Sequence, residues 1–130
     1  MRSISFSLTE PQFFDGSKDV TRRLGWLKLK AGDQLRAVRK AMGLKKGEKQ
    51  YVLGVIEVMG VRREKLSLFY HDLAYGCNET DREGFPEMEP EQFVSFFCKS
   101  HRGCTSDTIV TRIEFRRLNN RSEPTRSQTS

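Results

Sequence analysis

The run YVLGVIEVMGV, residues 51–61, decides the fold that the sequence predicts. Apolar residues occupy both its odd and its even positions, which is typical of a strand that is covered on both faces. Gly54 and Gly60 interrupt the run, and a glycine inside a strand indicates a bulge or a bend. We therefore expect a central strand that curls, as the strands of a small barrel do.

Shorter strands are predicted on both sides of this run. In SISFSL, residues 3–8, serines alternate with apolar residues, as in a half-buried strand. QLRAVRKAM, residues 34–42, and TIVTRIEFRRL, residues 108–118, are the other predicted strands. The basic loop LKKGEKQ, residues 44–50, separates two of them.

Two helices are predicted with clear ends. TEPQFFDG, residues 9–16, has Thr9 as a good N-cap and Gly16 as a left-handed stop. EPEQFVSFFCKSHRG, residues 89–103, begins with Pro90 and carries a stripe of phenylalanines before its glycine stop. LSLFYHDLAYG, residues 66–76, favours a short helix or irregular turns. This order lacks the regular alternation of a doubly wound sheet, so we predict an α+β fold, a small mixed β-barrel with helices packed at its ends.

The totals favour one domain. The chain has 130 residues, of which 1–118 are predicted to form the domain and 119–130, a polar tail without apolar residues, to be disordered. No apolar run is long enough to span a membrane, and MRSISFSLTE does not resemble a signal peptide. We expect a cytoplasmic monomer with three reduced cysteines and no membrane partner.

The charge indicates the kind of partner. There are 23 lysines and arginines against 17 aspartates and glutamates, a net charge of +6. This excess favours a phosphate-bearing or polyanionic partner, and a solvated basic surface is the alternative.

The stretch DGSKDVTRR, residues 15–23, holds an amine, a hydroxyl and two guanidinium groups in what is predicted to be a loop. A threonine hydroxyl is a poor nucleophile until a base takes its proton. Lys18 can be that base for Thr21 only if its pKa falls, which burial or the neighbouring cations would favour. In the competing interpretation Lys18 holds a phosphate, Thr21 caps a turn, and the arginines pair with carboxylates such as Asp15 and Asp19.

This stretch also carries a resemblance. The pattern G-x-K-x-x-T-x-R, followed by LKAGD, GVIEV, REGFP, FVSFFC and VTRIEF, resembles the ASCH domain, a branch of the PUA-like superfamily, over residues 2–118. The resemblance implies a PUA-like β-barrel with a cleft that accepts a nucleobase, a nucleoside or nucleic acid.

The resemblance also implies an activity. Some small bacterial members are amidohydrolases that remove the acyl group from N4-acylated cytidines, as from N4-acetylcytidine, with a lysine, a threonine and a downstream glutamate. By position these are Lys18, Thr21 and Glu83, and Glu79 or Asp81 are alternatives for the acid. Other members are thought to bind RNA or to act as nucleases. The resemblance thus favours a hydrolase acting on a nucleoside or modified base, and a non-catalytic RNA-binding or nuclease module is the alternative.

Three further residues are predicted to bind substrate or phosphate. Arg22 and Arg23 have planar donors that suit phosphates and base edges, and a buried structural ion pair is the alternative for one of them. Trp26 is predicted to lie at the rim of the cleft and stack on a base, with a place in the core as the alternative.

Cys98, His101 and Cys104 have the residue types of a zinc site. Cys104 follows the predicted helix stop, and no C-x-x-C is present. We therefore expect neither a metal nor another cofactor.

Overall fold

The computed structural model describes residues 1–118, so the predicted tail of residues 119–130 lies outside the described residues. The five strands and four helices described there are β1 (Ser3–Ser5), α1 (Glu10–Asp15), β2 (Val20–Arg23), β3 (Gln34–Val38), β4 (Val52–Lys65), α2 (Leu68–His71), α3 (Leu73–Arg82), α4 (Pro90–Lys99) and β5 (Ile109–Arg117). Within this part of the chain no helix is both long enough and apolar enough to cross a membrane.

The strands form one mixed sheet in the order β1-β3-β4-β5-β2. β1 runs parallel to β3, and the other neighbours are antiparallel. The sheet curls into a half-barrel, and the helices pack around it. The predicted α+β class, a small curled mixed sheet with helices packed around it, is confirmed.

β4 is the central strand, and it bends at the two predicted positions. Val52 pairs with Val38 and Gly54 with Ala37, so the ladder shifts by one residue beside Gly54. A second shift lies between Val58 and Gly60 on the side of β5. An extra residue in one strand increases its twist and bends it, which explains how a single 14-residue strand serves both halves of the curled sheet.

Residues 20–23 form a strand, not the predicted loop. β2 pairs with β5 in antiparallel register, from Val20 opposite Glu114 to Arg23 opposite Thr111. It escapes sequence analysis because it is only four residues long and its side chains are mostly polar or charged. Successive side chains of a strand point to opposite faces, so Thr21 and Arg23 share one face and Arg22 lies on the other.

The segment predicted as one short helix or turn contains two helices. α2 and α3 meet at Asp72, whose carboxylate accepts a hydrogen bond from the Tyr75 backbone at 3.1 Å. Asp72 is therefore a side-chain N-cap inside the predicted segment, and it starts a second helix that runs on to Arg82. α4 ends at Lys99, four residues before Gly103, the glycine predicted to stop it.

The core has two parts. One fills the half-barrel and contains Phe6, Phe13, Ile56 and Phe115. The other lies between the helices and the sheet and contains Phe69, Phe93, Phe97 and Val110. The candidate site lies where these two parts meet, because side chains from both line the same cavity.

Candidate functional site

A cavity of about 230 Å³ opens between β1, β2 and α4. This volume lies below the roughly 300–1,000 Å³ of drug-sized pockets and suits a small planar ligand. Residues from the segment after β1, from β2, from the end of α3 and from α4 line it: Ser5, Phe6, Ser7, Leu8, Thr9, Lys18, Thr21, Arg22, Arg23, Glu83, Phe85, Phe93, Phe96, Phe97, Ser100 and His101.

One wall of the cavity is aromatic. Phe85 lies 5.3 Å from Phe96 and 5.9 Å from Phe93, measured between ring centroids. The ring of His101 stacks on Phe97 at 4.3 Å. The predicted phenylalanine stripe of α4 supplies most of this wall, although nothing in the sequence indicates that the stripe faces Lys18. Flat aromatic surfaces of this kind favour a planar heteroaromatic ligand.

Lys18 belongs to the polar wall. Gly16 ends α1 in the left-handed conformation, and the Lys18 backbone then bonds to the Gln12 carbonyl at 3.0 Å. The buried ammonium donates to the backbone oxygens of Val20 at 3.0 Å and Glu83 at 2.7 Å, and to Glu83 Oε1 at 3.3 Å. Burial lowers the pKa of Lys18; Glu83 opposes this shift, and the nearby Arg23 reinforces it. The side chain is therefore held in place by three acceptors, and its pKa lies below that of a free lysine.

Glu83 is the acid that faces Lys18. It caps the C-terminus of α3, and Gly84 behind it has a φ of +99°. Its Oε2 accepts from Arg22 Nη1 at 2.9 Å, which leaves Oε1 on the side of Lys18. Of the two alternatives, Glu79 pairs instead with Arg22 and Arg112, and Asp81 is exposed.

Thr21 lines the cavity from β2 with 3% of its surface exposed. Its Oγ1 accepts from Arg23 Nε at 3.1 Å, and Arg23 is anchored in turn on the Ser5 carbonyl. Burial lowers the pKa of Arg23, and Glu83 opposes the shift. Within residues 1–118 no hydrogen bond joins Thr21 to Lys18. What the two side chains share is the cavity that both of them line.

Arg22, predicted to bind substrate or phosphate, is a structural cation. Its side chain is fully buried and binds the carboxylates of Glu64, Glu79 and Glu83 and the Tyr75 hydroxyl. Burial disfavours its charge, but the carboxylates outweigh burial and raise its pKa. Although Arg22 forms part of the cavity lining, its donors are committed to these partners.

The competing interpretation, in which the arginines pair with carboxylates, describes Arg22, but the two carboxylates named as examples are not its partners. Asp19 pairs with Arg82 at 2.8 Å, and Asp15 accepts from the Ser17 backbone. The carboxylates that bind Arg22 come instead from β4 and from the end of α3, more than 40 residues away in the sequence.

The buried charges around the site nearly cancel. Three cations and three carboxylates, each with a side chain at most 6% exposed, lie in one network: Lys18, Arg22, Arg112, Glu64, Glu79 and Glu83. Arg23 beside them adds one positive charge, which the site loses if Lys18 gives up its proton. Since a buried net charge is costly, the positive charge of Arg23 adds to the effect of burial in lowering the pKa of Lys18.

Trp26 does not lie at the rim. It is absent from the cavity lining, packs against the half-barrel core, and carries the Arg2 guanidinium 3.7 Å above its ring. The position of Trp26 agrees with the alternative, a residue packed against the core. The structure does not support its stacking on a base in this cavity.

In the part of the chain that the structure describes, no three metal-ligating side chains come together. His101 Nδ1 is bonded to the Phe97 carbonyl at 2.8 Å. Cys98 and Cys104 lie against each other instead, with their sulfurs 2.7 Å apart.

Comparison with known proteins finds relatives in structure only. No protein-family model matches the sequence, and no curated protein matches it. A crystal structure of an Enterococcus faecalis V583 protein assigned to the family DUF984 matches with a TM-score of 0.60 and 13% identity, over 90% of this chain and 79% of that one. The ASCH domain from Lactobacillus crispatus JV V101 matches with a TM-score of 0.54 and 13% identity, over 89% of this chain and 78% of that one. Likeness at such low identity shows the fold alone, and on this ground the chain has an ASCH-like fold.

Proposed function

We propose that the protein hydrolyses the amide of N4-acylated cytidine-type nucleosides in this cavity. One observation carries the proposal: Lys18 Nζ lies 3.3 Å from Glu83 Oε1, and both line, with Thr21, a cavity that aromatic side chains also line. A base, a hydroxyl and an acid thus surround a space of about 230 Å³.

In the proposed complex the substrate contacts both the aromatic and the polar residues of the lining. The pyrimidine ring stacks on the phenylalanines of α4, which brings its exocyclic amide towards β2 and the end of α3. Arg23 donates to Thr21 Oγ1 at 3.1 Å, and its charge favours the alkoxide character that this oxygen gains as its proton leaves.

The reaction proceeds in two steps. Lys18, as a neutral amine, takes the proton of the Thr21 hydroxyl, and the oxygen forms a bond to the acyl carbon. The carbon–nitrogen bond breaks as the exocyclic nitrogen takes that proton from the Lys18 ammonium, and cytidine leaves. The role of the Glu83 carboxylate is to orient the attacking water. Water then adds to the threonine ester, the ester bond breaks, and a carboxylic acid is released. The net reaction consumes one water.

The burial of Arg22 argues against phosphate binding in this cavity, and so supports a nucleoside hydrolase over an RNA-binding module that uses the same cleft. Of the two arginines predicted to contact phosphates, Arg22 is fully committed to carboxylates and Arg23 is anchored on Ser5 and Thr21. A module that grips several phosphates needs several free cations. Turnover of a free nucleoside should accordingly change little with salt, whereas RNA binding should weaken steeply as salt rises.

The test is an assay of the full chain with N4-acetylcytidine, followed by the absorbance change of the cytosine ring. Lys18→Ala, Thr21→Val and Glu83→Gln should each lower kcat/KM by about 10²–10⁴-fold, the usual contribution of a positioned acid or base. Circular dichroism establishes that each variant is folded.

Matched controls come from the surface. Lys49→Ala and Glu87→Gln change an exposed lysine and an exposed glutamate outside the cavity lining, and should leave kcat/KM within about 2-fold of the starting protein. Undiminished turnover in Lys18→Ala or Glu83→Gln would exclude the mechanism. Absence of turnover in the starting protein, combined with salt-sensitive RNA binding, would favour the alternative.

A further inference from the structure

Two cysteines lie in contact at the end of α4. Cys98 is in the last turn of the helix, and Cys104 follows six residues later, past Gly103 with its φ of +77°. Their Sγ atoms are 2.7 Å apart. Backbone hydrogen bonds from His101 to Cys98 and from Cys104 to His101, at 3.2 and 3.1 Å, hold the turn that brings them together.

The two thiols differ in reactivity because of their surroundings. Burial, and then the hydrogen bond with Cys104, raise the pKa of Cys98. Either sulfur can be the donor in this contact, and the raised pKa makes the Cys98 thiol the slower of the two to form the reactive thiolate. Both residues are partly exposed, which leaves them within reach of a small oxidant.

We propose that Cys98 and Cys104 are a reversible thiol–disulfide pair, a site of oxidation beside residues that line the cavity. A disulfide needs sulfurs about 2.0 Å apart, so the two atoms have to approach by less than an ångström. The third cysteine, Cys77, lies exposed on α3 and is outside this contact. The proposal is independent of what the cavity hydrolyses.

The oxidant that balances the step is a peroxide. The Cys104 thiolate attacks one peroxide oxygen, the O–O bond breaks, and protonation of the leaving oxygen gives water and a sulfenic acid. The Cys98 sulfur then attacks the Cys104 sulfur, the S–O bond breaks, and a second water leaves with the thiol proton. Two electrons pass from the thiols to the peroxide, and a dithiol reductant returns them.

The pair is coupled to the cavity through the residues beside it. Phe97 precedes Cys98, and Ser100 and His101 lie between the two cysteines; all three line the cavity. Since His101 stacks on Phe97 at 4.3 Å and bonds to its carbonyl, a crosslink around this turn changes the surroundings of the imidazole. Oxidation should therefore be sensed inside the cavity.

The experiment uses the full chain carrying Cys77→Ser, so that only the pair can react. One equivalent of hydrogen peroxide should lower the intact mass by about 2 Da, the loss of two hydrogens, and dithiothreitol should restore it. Trypsin cuts after Lys99 and Arg102, between the cysteines, so the oxidised chain should yield two peptides joined only by the new bond. The ring signals of His101 in proton NMR should shift on oxidation.

The matched control is Cys77→Ser combined with Cys98→Ser. On peroxide treatment its intact mass should not fall by 2 Da, and its His101 ring signals should not shift through formation of this disulfide. A gain of oxygen on a cysteine, or intermolecular crosslinks, in place of the 2 Da loss would overturn the assignment of the pair. Unmoved His101 signals in fully crosslinked protein would overturn the coupling to the cavity. Each readout is independent of hydrolase activity.

Discussion

Arg22 Nη1 lies 2.9 Å from Glu83 Oε2, while Lys18 Nζ lies 3.3 Å from the other oxygen of the same carboxylate. Glu83 is thus held between two cations, one structural and one in the cavity wall. Because Arg22 also binds Glu64 and Glu79, the position of the acid depends on a network that reaches across β4 and α3. Stability and the geometry of the site are therefore linked at Arg22.

Arg22→Met should destabilise the fold by about 3–5 kcal/mol, because it leaves three buried carboxylates without their shared cation. Arg22→Lys keeps the charge but not the planar donors, and its stability should lie between that of the starting protein and that of Arg22→Met. The free energy of unfolding in urea measures both. Arg116→Met is the control, since that side chain is 60% exposed and bonded only to Glu57; it should cost under about 1 kcal/mol. Equal losses for Arg22→Met and Arg116→Met would contradict the structural role.

Acid should unfold the protein through Glu79. Burial opposes its ionisation, but hydrogen bonds from Arg112 and Arg22 lower its pKa to about 2 from an ordinary 4.5. A carboxyl with a lowered folded-state pKa stabilises the fold above pH 4.5 and loses that contribution as the pH falls towards 2. The contribution is on the order of 3 kcal/mol. Glu79→Gln should therefore unfold more easily at pH 7 and show a flatter loss of stability between pH 4.5 and 2 in urea titrations. A parallel loss in both proteins would contradict the assignment.

Gly84 fixes the chain directly after Glu83. Its φ of +99° disfavours other residues, and a Cβ there would lie 3.1 Å from Thr9 Cγ2 and 3.3 Å from Gln12 Cβ. Gly84→Ala should therefore destabilise by about 2 kcal/mol, from backbone strain and crowding together. Gly47→Ala separates the two causes, because Gly47 has a φ of +84° but open space around it. It should cost about 1 kcal/mol. Thermal unfolding of the two variants side by side gives the comparison, and equal shifts would show that crowding contributes nothing.

Local patterns predicted much of the fold. Gly54 and Gly60 marked both bulges of β4, and Gly16 marked the end of α1. β2 escaped because four mostly polar residues carry no periodic signal, and its strand character comes from pairing with β5, far along the chain. Once β2 is known to be a strand, alternation separates Arg22 from Thr21 and Arg23; without it the two arginines are equivalent in sequence.

The candidate site residues could be predicted from the sequence motif, but the way they pack together could not. The pattern that singled out Lys18, Thr21 and Glu83 selected residues that line one cavity, and whether they catalyse hydrolysis remains a prediction. Periodicity found the phenylalanine stripe of α4 but not the surface opposite it. The three glutamates around Arg22 come from distant segments, and no local pattern brings them together.

Arg23 should set the proton affinity of Lys18. Burial is the main cause that lowers the pKa of Lys18, and the charge of Arg23 adds to it. Removing that charge in Arg23→Gln should raise the pKa of Lys18 and move the rising limb of the pH–kcat/KM profile to higher pH, because the neutral amine is the base. Titration of the Lys18 side-chain carbon next to the amine by NMR measures the same pKa without activity. In the unfolded chain Lys18 binds its proton more tightly, so folding releases a proton between the two pKa values and stability rises with pH there.

Arg63→Gln is the matched control, since it removes an exposed arginine from β4, away from the cavity lining. It should leave both the NMR titration and the pH profile in place. If Arg23→Gln moves neither of them, the charge of Arg23 does not act on Lys18. If it moves the NMR titration but not the pH profile, Lys18 is a perturbed lysine that does not serve as the base. That second outcome separates the electrostatics of the buried network, which the distances between its charges support, from the role of Lys18 in hydrolysis.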